Sequence, residues 1–241
     1  MQVENFKEDS MRDCKCCRRE IKLSVACFLL ALIVIVGCRK DNELPSSSVN
    51  VINVVVSNGN CYNEKIAVVK LFVDAESIYD PDRQVMIWQG VEVAKGDYRN
   101  GGFTINLPDA IDIIKSFDLE FPIEAKMSNT DAKYANSRFI AYNKDDEQLG
   151  YFYYYYLDMG EETLTMIEGG VLYFDRDFTI TGSGTDEGER WSITCSFKKG
   201  WSFLYIIQGG NSDGILPVRM TTSKPDVSMF WIFRANDDDR Y

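Results

Sequence analysis

The side chains that could do chemistry in this 241-residue sequence are cysteines, carboxylates and tyrosines, because the chain contains no histidine. Without an imidazole there is no Ser-His-Asp or Cys-His nucleophile pair, no histidine metal ligand and no histidine pH switch. The 37 acidic residues outnumber the 26 basic ones and give a net charge of −11. Because nucleic acids bind basic surfaces, this balance argues against a nucleic-acid partner.

Seven cysteines are present, and their positions separate them into groups. Cys14, Cys16 and Cys17 lie close together, but they form no C-x-x-C pair and have no second knuckle, so we predict no metal site there. Cys61 and Cys195 lie in the main part of the chain and could form a disulfide in an oxidising compartment. Sequence alone does not show that they lie close enough to be bridged, so two separate buried thiols remain the alternative.

A run of six aromatic residues, YFYYYY at positions 151–156, is the most unusual string in the sequence. In a β-strand, Tyr151, Tyr153 and Tyr155 would share one face, because successive side chains point to opposite sides. If that face were open, the tyrosines could stack against sugar rings or contact a protein partner. The alternative is a strand held between the core and a covering loop.

Three oxygen-rich loops, at residues 74–83, 143–147 and 211–214, could supply ligands to a calcium ion. None of them matches the pattern of a calcium loop, and we interpret them as solvated turns without a metal or other cofactor. Paired carboxylates could also hydrolyse glycosidic bonds without histidine. No motif marks such a pair, so we name no catalytic residue and predict that the protein is not an enzyme.

The N-terminal segment has the organisation of a secretory signal peptide. A basic block at residues 15–22 precedes residues 23–37, which carry no charge. This apolar run is shorter than the ~20 residues that a transmembrane helix needs, and it fits the apolar helix of a signal peptide. We predict that residues 1–37 form the signal, or a shorter one if translation starts at Met11.

The apolar run ends in Ile-Val-Gly-Cys at residues 35–38, which resembles the lipobox of bacterial lipoproteins. In that family the signal is cleaved before the cysteine, whose thiol receives a diacylglycerol. The resemblance implies cleavage between Gly37 and Cys38 and a palmitate-containing lipid on Cys38, which would anchor the chain to a membrane. Residues 39–43 (RKDNE) resemble the export tag of Bacteroidetes-type surface lipoproteins, which implies the outer face of the outer membrane. Residues 38–48 would then form a flexible tether.

Residues 49–235 alternate short apolar runs with turn clusters at spacings of roughly 8 to 12 residues, a pattern typical of antiparallel sheets. We therefore predict an all-β domain, an antiparallel β-sandwich, followed by an acidic tail at residues 236–241. One short helix is expected at residues 109–117, where apolar residues recur at i, i+3 and i+6. Two stacked sandwiches, divided near residue 128 or 160, are the alternative to a single domain.

Residues 100–108 (NGGFTINLP) and 198–201 (KKGW) resemble recurring phrases of uncharacterised Bacteroidetes β-sandwich lipoproteins, a resemblance that brings no activity with it. Together these features predict a lipid-anchored lipoprotein of the outer membrane or cell surface. Its domain would be a non-catalytic binding or display module, with a glycan or an envelope protein as ligand. A structural envelope or fimbria-like assembly component that adds strands to a partner is one alternative. A glycan-active enzyme that uses carboxylates is another.

Overall fold

The part of the chain that the computed structural model describes comprises residues 49–80, 85–112, 115–116, 123–160, 164–210 and 215–236. The predicted signal peptide, Cys38, the tether and all but the first residue of the acidic tail lie outside this part, so what the sequence indicates for them stays a prediction. The described residues all belong to one compact unit. None of them forms a helix that is long and apolar enough to cross a membrane.

The described part of the chain is built almost entirely from β-strands, which confirms the all-β prediction. Its single helical element is a short 3-10 helix at Gly59–Tyr62. The strands are β1 (Val51–Val55), β2 (Val68–Asp80), β3 (Val85–Arg99), β4 (Gly102–Asn106), β5 (Lys115–Ser116), β6 (Ala125–Met127), β7 (Lys133–Tyr142), β8 (Gln148–Met159), β9 (Leu164–Phe174), β10 (Phe178–Asp186), β11 (Glu189–Phe197), β12 (Gly200–Gly209), β13 (Leu216–Thr221) and β14 (Phe230–Ala235).

Strand β11 shows how the residue pattern selects a strand and its register. Ile193, Cys195 and Phe197 are buried, while the serine and threonine residues between them are exposed. On the neighbouring strand β10, Phe178 lies opposite Phe197 and Ile180 lies opposite Cys195, and both are buried. A shift of one residue would turn all of these apolar side chains towards solvent, so burial fixes the pairing of the two strands.

The strands form one path of hydrogen-bonded neighbours, in the order β1-β4-β3-β2-β7-β8-β9-β12-β13-β11-β10-β6, with β14 added to β8 and β5 added to β7. Every pairing between these strands is antiparallel except that of β11 with β13, which is parallel. This pair departs from the antiparallel pattern that the sequence predicts. The chain reverses its direction between β11 and β12 and reverses it again between β12 and β13. Strand β13 therefore runs in the same direction as β11.

The middle of the strand pair β9–β12, at residues 171–174 and 201–205, lies between two hydrophobic cores. Val171 and Tyr173 of β9 belong to the first core, together with Trp201 of β12. Leu172 and Phe174, which alternate with them on β9, belong to the second core. The first core is completed by residues of β1, β2, β3, β4, β7, β8 and β14, and the second by residues of β7, β10, β11 and β13. Burial on both faces accounts for the continuous apolar run of β9, which lacks the alternation of a half-exposed strand.

The sheet branches at β8. This strand pairs with β7 through residues 148–151 and with β9 through residues 154–159. Elsewhere β7 pairs directly with β9, and Ala135 lies opposite Tyr173. The other side of β8 is taken by β14, which pairs with residues 150–155. Strand β8 therefore carries β14 as a separate arm, and this arm closes the first core.

The predicted helix at residues 109–117 is wrong. The described residues of this segment before β5 are irregular, and β5 itself pairs with β7. Tertiary contacts fix the chain here: the indole N–H of Trp201 donates to the carbonyl oxygen of Pro108 at 2.7 Å, and Ile111 packs against the first core. Because a helix of about two turns is marginal by itself, these contacts and the β pairing determine the conformation.

The Cys61–Cys195 disulfide that the sequence left open does not form, because Cys195 is a free thiol. Cys195 is buried in the second core. Cys61 lies in the 3-10 helix, where the neighbouring Tyr62 packs against the first core with its ring centre 4.6 Å from that of Phe233. The two cysteines therefore belong to the surroundings of different cores, which their positions in the sequence do not reveal.

Candidate binding surface

The tyrosine run forms the middle of β8, and one of its faces fills the first core. Phe152 is buried there, with its ring centre 5.0 Å from that of Phe103 and 5.4 Å from that of Phe233. On the same face, the ring of Tyr154 stacks on Trp231 at 5.0 Å, with an interplanar angle of 20°. Alternate residues of the run therefore point into the protein, as the strand pattern predicts.

Tyr154 fits against the sheet because a glycine lies opposite it on β9. A Cβ atom on Gly169 would lie 2.5 Å from Cδ1 of the Tyr154 ring, whereas one on Gly170 would meet nothing closer than 3.8 Å. A cavity of about 180 Å³ lies at this junction of β7, β8 and β9. It is smaller than the roughly 300 Å³ at which ligand pockets begin, so we do not interpret it as a ligand site.

On the opposite face of β8, Tyr151 is covered by side chains from β3 and β7. The guanidinium carbon of Arg138 lies 3.7 Å from the ring centre of Trp88 and 5.2 Å from that of Tyr151. The rings of Trp88 and Tyr151 meet edge to face at 5.3 Å. Burial lowers the pKa of the Arg138 guanidinium, and the nearby tyrosines and Glu168 act in the opposite direction. The ring of Tyr151 is thus engaged by the protein itself.

Tyr153, the next residue on this face, is held through its hydroxyl group. That group hydrogen-bonds the hydroxyl of Tyr151 and the side chain of Arg234. Burial raises the pKa of Tyr153, the bond to Tyr151 adds to the rise, and Arg234 opposes it. We call Trp88, Arg138, Tyr151, Tyr153 and Arg234 the aromatic–arginine cluster; sequence reasoning identified only its tyrosines, because the other members come from distant strands.

Further along the same face, β8 becomes openly apolar. Met159 lies opposite Leu164 of β9, and Phe230 of β14 lies opposite the half-buried Tyr155. Met159 is 67% exposed and Leu164 56% exposed, and Leu157 and Phe230 are exposed as well. We call Leu157, Met159, Leu164 and Phe230 the hairpin patch. It contains half of the eight large apolar residues that are exposed in the described part of the chain.

The hairpin patch borders an open strand edge. Strand β14 pairs with β8 only as far as Tyr155, so residues 156–159 have β9 as their one strand neighbour among the described residues. Asp158 is the single charged residue of these four. Edges of natural sheets are usually guarded by lysine, proline or a bulge, and this one carries exposed apolar side chains. The sequence does contain a signal for this surface, since Leu157 and Met159 continue the two-residue period of the tyrosines.

The predicted oxygen-rich loops form no cluster of three or more potential metal-binding side chains within the described residues. Most of the first loop belongs to strand β2. In the turn at residues 143–147, the side-chain oxygen of Asn143 accepts the backbone N–H groups of Asp145 and Glu147, both at 2.9 Å. This turn is closed by its own hydrogen bonds. Residues 211–214 lie outside the described part.

Carboxylates of the described residues do not converge in the junction cavity or in a second, larger groove either. The junction cavity contains one carboxylate, that of Glu168, and the larger groove on the second core's outer side contains none. Burial raises the pKa of Asp74, and Lys115, whose Nζ lies 3.8 Å from its carboxylate, opposes the rise. Asp74 lines neither cavity.

Comparison with known proteins identifies no relative: no family model, curated protein or solved structure matches the chain. The hairpin patch and the open edge of β8 must therefore be interpreted from their own chemistry. Exposed apolar side chains beside unpaired backbone groups can bind an extended protein segment, because the backbone supplies hydrogen bonds and the alternating side chains supply apolar contacts.

Proposed function

We propose that this chain is a lipid-anchored lipoprotein of the outer membrane, exposed at the cell surface, whose domain is a non-catalytic binding module. Its partner is another envelope protein, which adds an extended segment to the open edge of β8. The signal-like residues 23–37 and the lipobox-like Gly37 and Cys38 support the anchor. The acidic surface that follows from the net charge of −11 would repel an anionic membrane, so attachment would depend on the lipid.

The observation that carries the binding function is the coincidence of the hairpin patch with the open edge at residues 156–159. Strand addition uses both features: main-chain hydrogen bonds give affinity, and pockets between alternate side chains give specificity. Exposed apolar side chains that lie together typically mark protein contacts.

A protein segment fits this surface better than a glycan does. Sugar rings stack on open aromatic faces, but Tyr151 and Tyr153 are engaged by the aromatic–arginine cluster. The open part of the same strand face is mainly non-aromatic: Leu157 and Met159 of β8 and Leu164 of β9 are exposed, and Phe230 supplies the one exposed ring of the hairpin patch. A mainly aliphatic surface beside a strand edge favours the apolar side chains of a peptide.

Site-specific photo-crosslinking in cells that express the protein natively tests the binding function. A benzophenone amino acid would replace Leu157, and in a control it would replace Val91, which is 41% exposed on β3, a strand separated from β8 by β2 and β7. We expect ultraviolet light to produce one discrete adduct with an envelope protein at position 157 and none at position 91. Equal adducts at both positions, no adduct at 157, or an adduct with a second copy of this chain alone would overturn the proposal.

Metabolic labelling with radioactive palmitate tests the anchor separately. The wild type should incorporate label, and Cys38→Ala should abolish it, because the thiol that receives the lipid is removed. An unlabelled wild type, or equal label in the variant, would refute the lipid anchor and leave the crosslinking result to decide the binding function.

A further inference from the structure

A second surface, with chemistry different from that of the hairpin patch, lies on the outer side of the sheet β10–β11–β13–β12. A groove of about 560 Å³ opens there, within the range of about 300–1,000 Å³ that small-molecule sites occupy. The side chains that matter for its chemistry lie on one face of this sheet; they are Ser183, Thr185, Arg190, Ser192, Ile207 and Arg219.

The strand register places these side chains together on the outer face. Ser192 lies opposite both Ser183 on β10 and Arg219 on β13. Their chain neighbours Ile193 and Met220 point the other way, into the second core. Because successive residues of a strand alternate between faces, Ser192 and Arg219 face outwards. The groove therefore rests on a sheet that is packed from behind, and its lining is held by strands.

The charge of this groove is opposite to that of the chain. The sequence has 37 acidic and 26 basic residues, yet the described residues that line the groove include two arginines and no carboxylate. Arg219 is exposed and makes no ion pair with any residue that the structure describes. Arg190, which lies opposite Thr185, already has a partner. Arg219 is thus the guanidinium on which recognition of a ligand would depend.

The other groups around Arg219 are suited to a sugar-sized ligand. Hydroxyl groups of Ser183, Thr185 and Ser192 can donate to or accept from ligand hydroxyls. Ile207 lies opposite Arg219 on β12 and gives the groove an apolar side. A guanidinium binds carboxylate, sulfate and phosphate through paired N–H groups, which a neutral ligand cannot use fully.

We propose that this groove binds a saccharide unit that carries an oxyanion, and that Arg219 binds the oxyanion. The proposal concerns a site separate from the open edge of β8 and depends neither on the partner protein nor on the lipid anchor. The oxyanion could be the carboxylate of a uronic acid or a sulfate ester, since both present the same acceptor geometry to a guanidinium.

Isothermal titration of the purified full-length protein tests this proposal with four probes: a uronic-acid disaccharide, a sulfated disaccharide, a neutral disaccharide of equal size, and inorganic phosphate. We expect at least one of the two acidic disaccharides to bind at least about tenfold more tightly than the neutral one, because only it can form charge-assisted bonds. Which of the acidic probes binds identifies the source of the oxyanion. Binding should weaken as salt is raised, since the site is exposed.

Substitution of the arginine provides the matched comparison. Arg219→Ala should weaken binding of the acidic disaccharide about tenfold or more. The affinity of Arg219→Lys should lie between that of the wild type and that of Arg219→Ala, because lysine keeps the positive charge but lacks the paired N–H groups of a guanidinium. Arg99→Ala is the control, since Arg99 is an exposed arginine of β3 that pairs with Asp97 at 2.5 Å. Equal affinity for neutral and acidic disaccharides, no binding of any disaccharide at millimolar concentration, or an unchanged affinity in Arg219→Ala would overturn the proposal. Phosphate that binds as tightly as the disaccharides would overturn the saccharide part of it.

Discussion

The hairpins β8–β9 and β10–β11 have the same construction and present opposite chemistry to solvent. In β10–β11 the inward residues, such as Ile180 and Phe197, fill the second core, and the outward residues are mainly serine, threonine and arginine. In β8–β9 the inward residues also pack in the protein, but the outward end carries Leu157, Met159 and Leu164. The fold accepts a polar outward face on one hairpin, so it does not require the apolar one on the other.

The open edges of the two hairpins differ in the same way. Strand β6 pairs with residues 180–182 of β10, and the following residues 183–186 have β11 as their one strand neighbour in the described part of the chain. These four residues are Ser-Gly-Thr-Asp. Glycine and aspartate are depleted in strands, and none of the four offers a large apolar side chain to another chain. The corresponding residues 156–159 of β8 are Tyr-Leu-Asp-Met. The difference indicates that one edge is protected by its composition and that the other is available for a partner.

Truncation of an inward residue should have the largest effect on stability. Phe197 is 1% exposed, and its ring centre lies 4.2 Å from that of Phe174 and 5.0 Å from that of Phe178. Phe197→Ala should lower the free energy of unfolding by about 3–5 kcal/mol, because it removes buried area and leaves a cavity. Urea unfolding measures this loss, and Leu157→Ala serves as the control. Similar losses in the two variants would contradict the distinction between the inward and outward faces.

The free energy of unfolding should fall at alkaline pH because Cys195 is buried on the inward face of β11. Burial raises the pKa of this thiol from 9.0 to about 12. The unfolded chain therefore releases the proton above pH 9 while the folded chain retains it. The free energy of unfolding should then be unaffected below pH 9 and should fall between about pH 9 and 12, on the order of 1 kcal/mol per pH unit for one thiol.

Four tyrosines act in the same direction, since burial raises the pKa of Tyr98 and of Tyr205 to about 12 and also raises the pKa of Tyr153 and of Tyr154. Urea unfolding at pH 8 and at pH 10.5 should show the loss, and Cys195→Ala should make it smaller but not remove it. The hairpin patch contains no titrating group, so Leu157→Ala should keep the wild-type difference between the two pH values. An identical pH dependence in Cys195→Ala would contradict the role of the thiol.

A smaller effect is expected where the aromatic packing of β8 meets β9. Gly169→Ala would place Cβ 2.5 Å from the Tyr154 ring and displace it from its stack on Trp231. Overpacking of this kind should cost about 1–3 kcal/mol. Gly170→Ala is the matched control, because the nearest atom to its Cβ would be 3.8 Å away. Thermal unfolding of the two variants should differ accordingly, and equal midpoints would show that the Tyr154 ring moves freely.

The sequence predicts the strands well where one face is wet. The alternation of β11 and the two-residue period of the tyrosine run are both visible in the sequence and present in the structure. The sequence predicts the conformation less well where contacts between distant residues determine it. The spacing that favours a helix at residues 109–117 is overridden by the pairing of β5 with β7 and by the bond from Trp201 to Pro108.

The candidate site was predictable only in part for the same reason. The shared face of Tyr151, Tyr153 and Tyr155 follows from the strand period. The cover over Tyr151 comes from Trp88 and Arg138, which reach it through strand pairings that no local pattern contains. Whether a strand face is open or covered therefore depends on the order of the strands in the sheet, which the two-residue period of the sequence does not contain.

The smallest effect on stability should accompany the largest effect on binding. Leu157→Lys replaces an outward side chain that is 46% exposed, so the free energy of unfolding should change by no more than about 0.5 kcal/mol. A lysine on an open strand edge opposes the addition of another strand, because its charge would have to be desolvated there. With the benzophenone amino acid at Phe230, on the same face, the envelope-protein adduct should therefore be lost in Leu157→Lys. Val91→Lys, which places the same charge on the exposed side of β3, should leave the adduct intact. If the adduct persists in Leu157→Lys, then the apolar end of the β8–β9 hairpin is not the surface that binds the envelope protein, and its exposed apolar side chains have no role in binding.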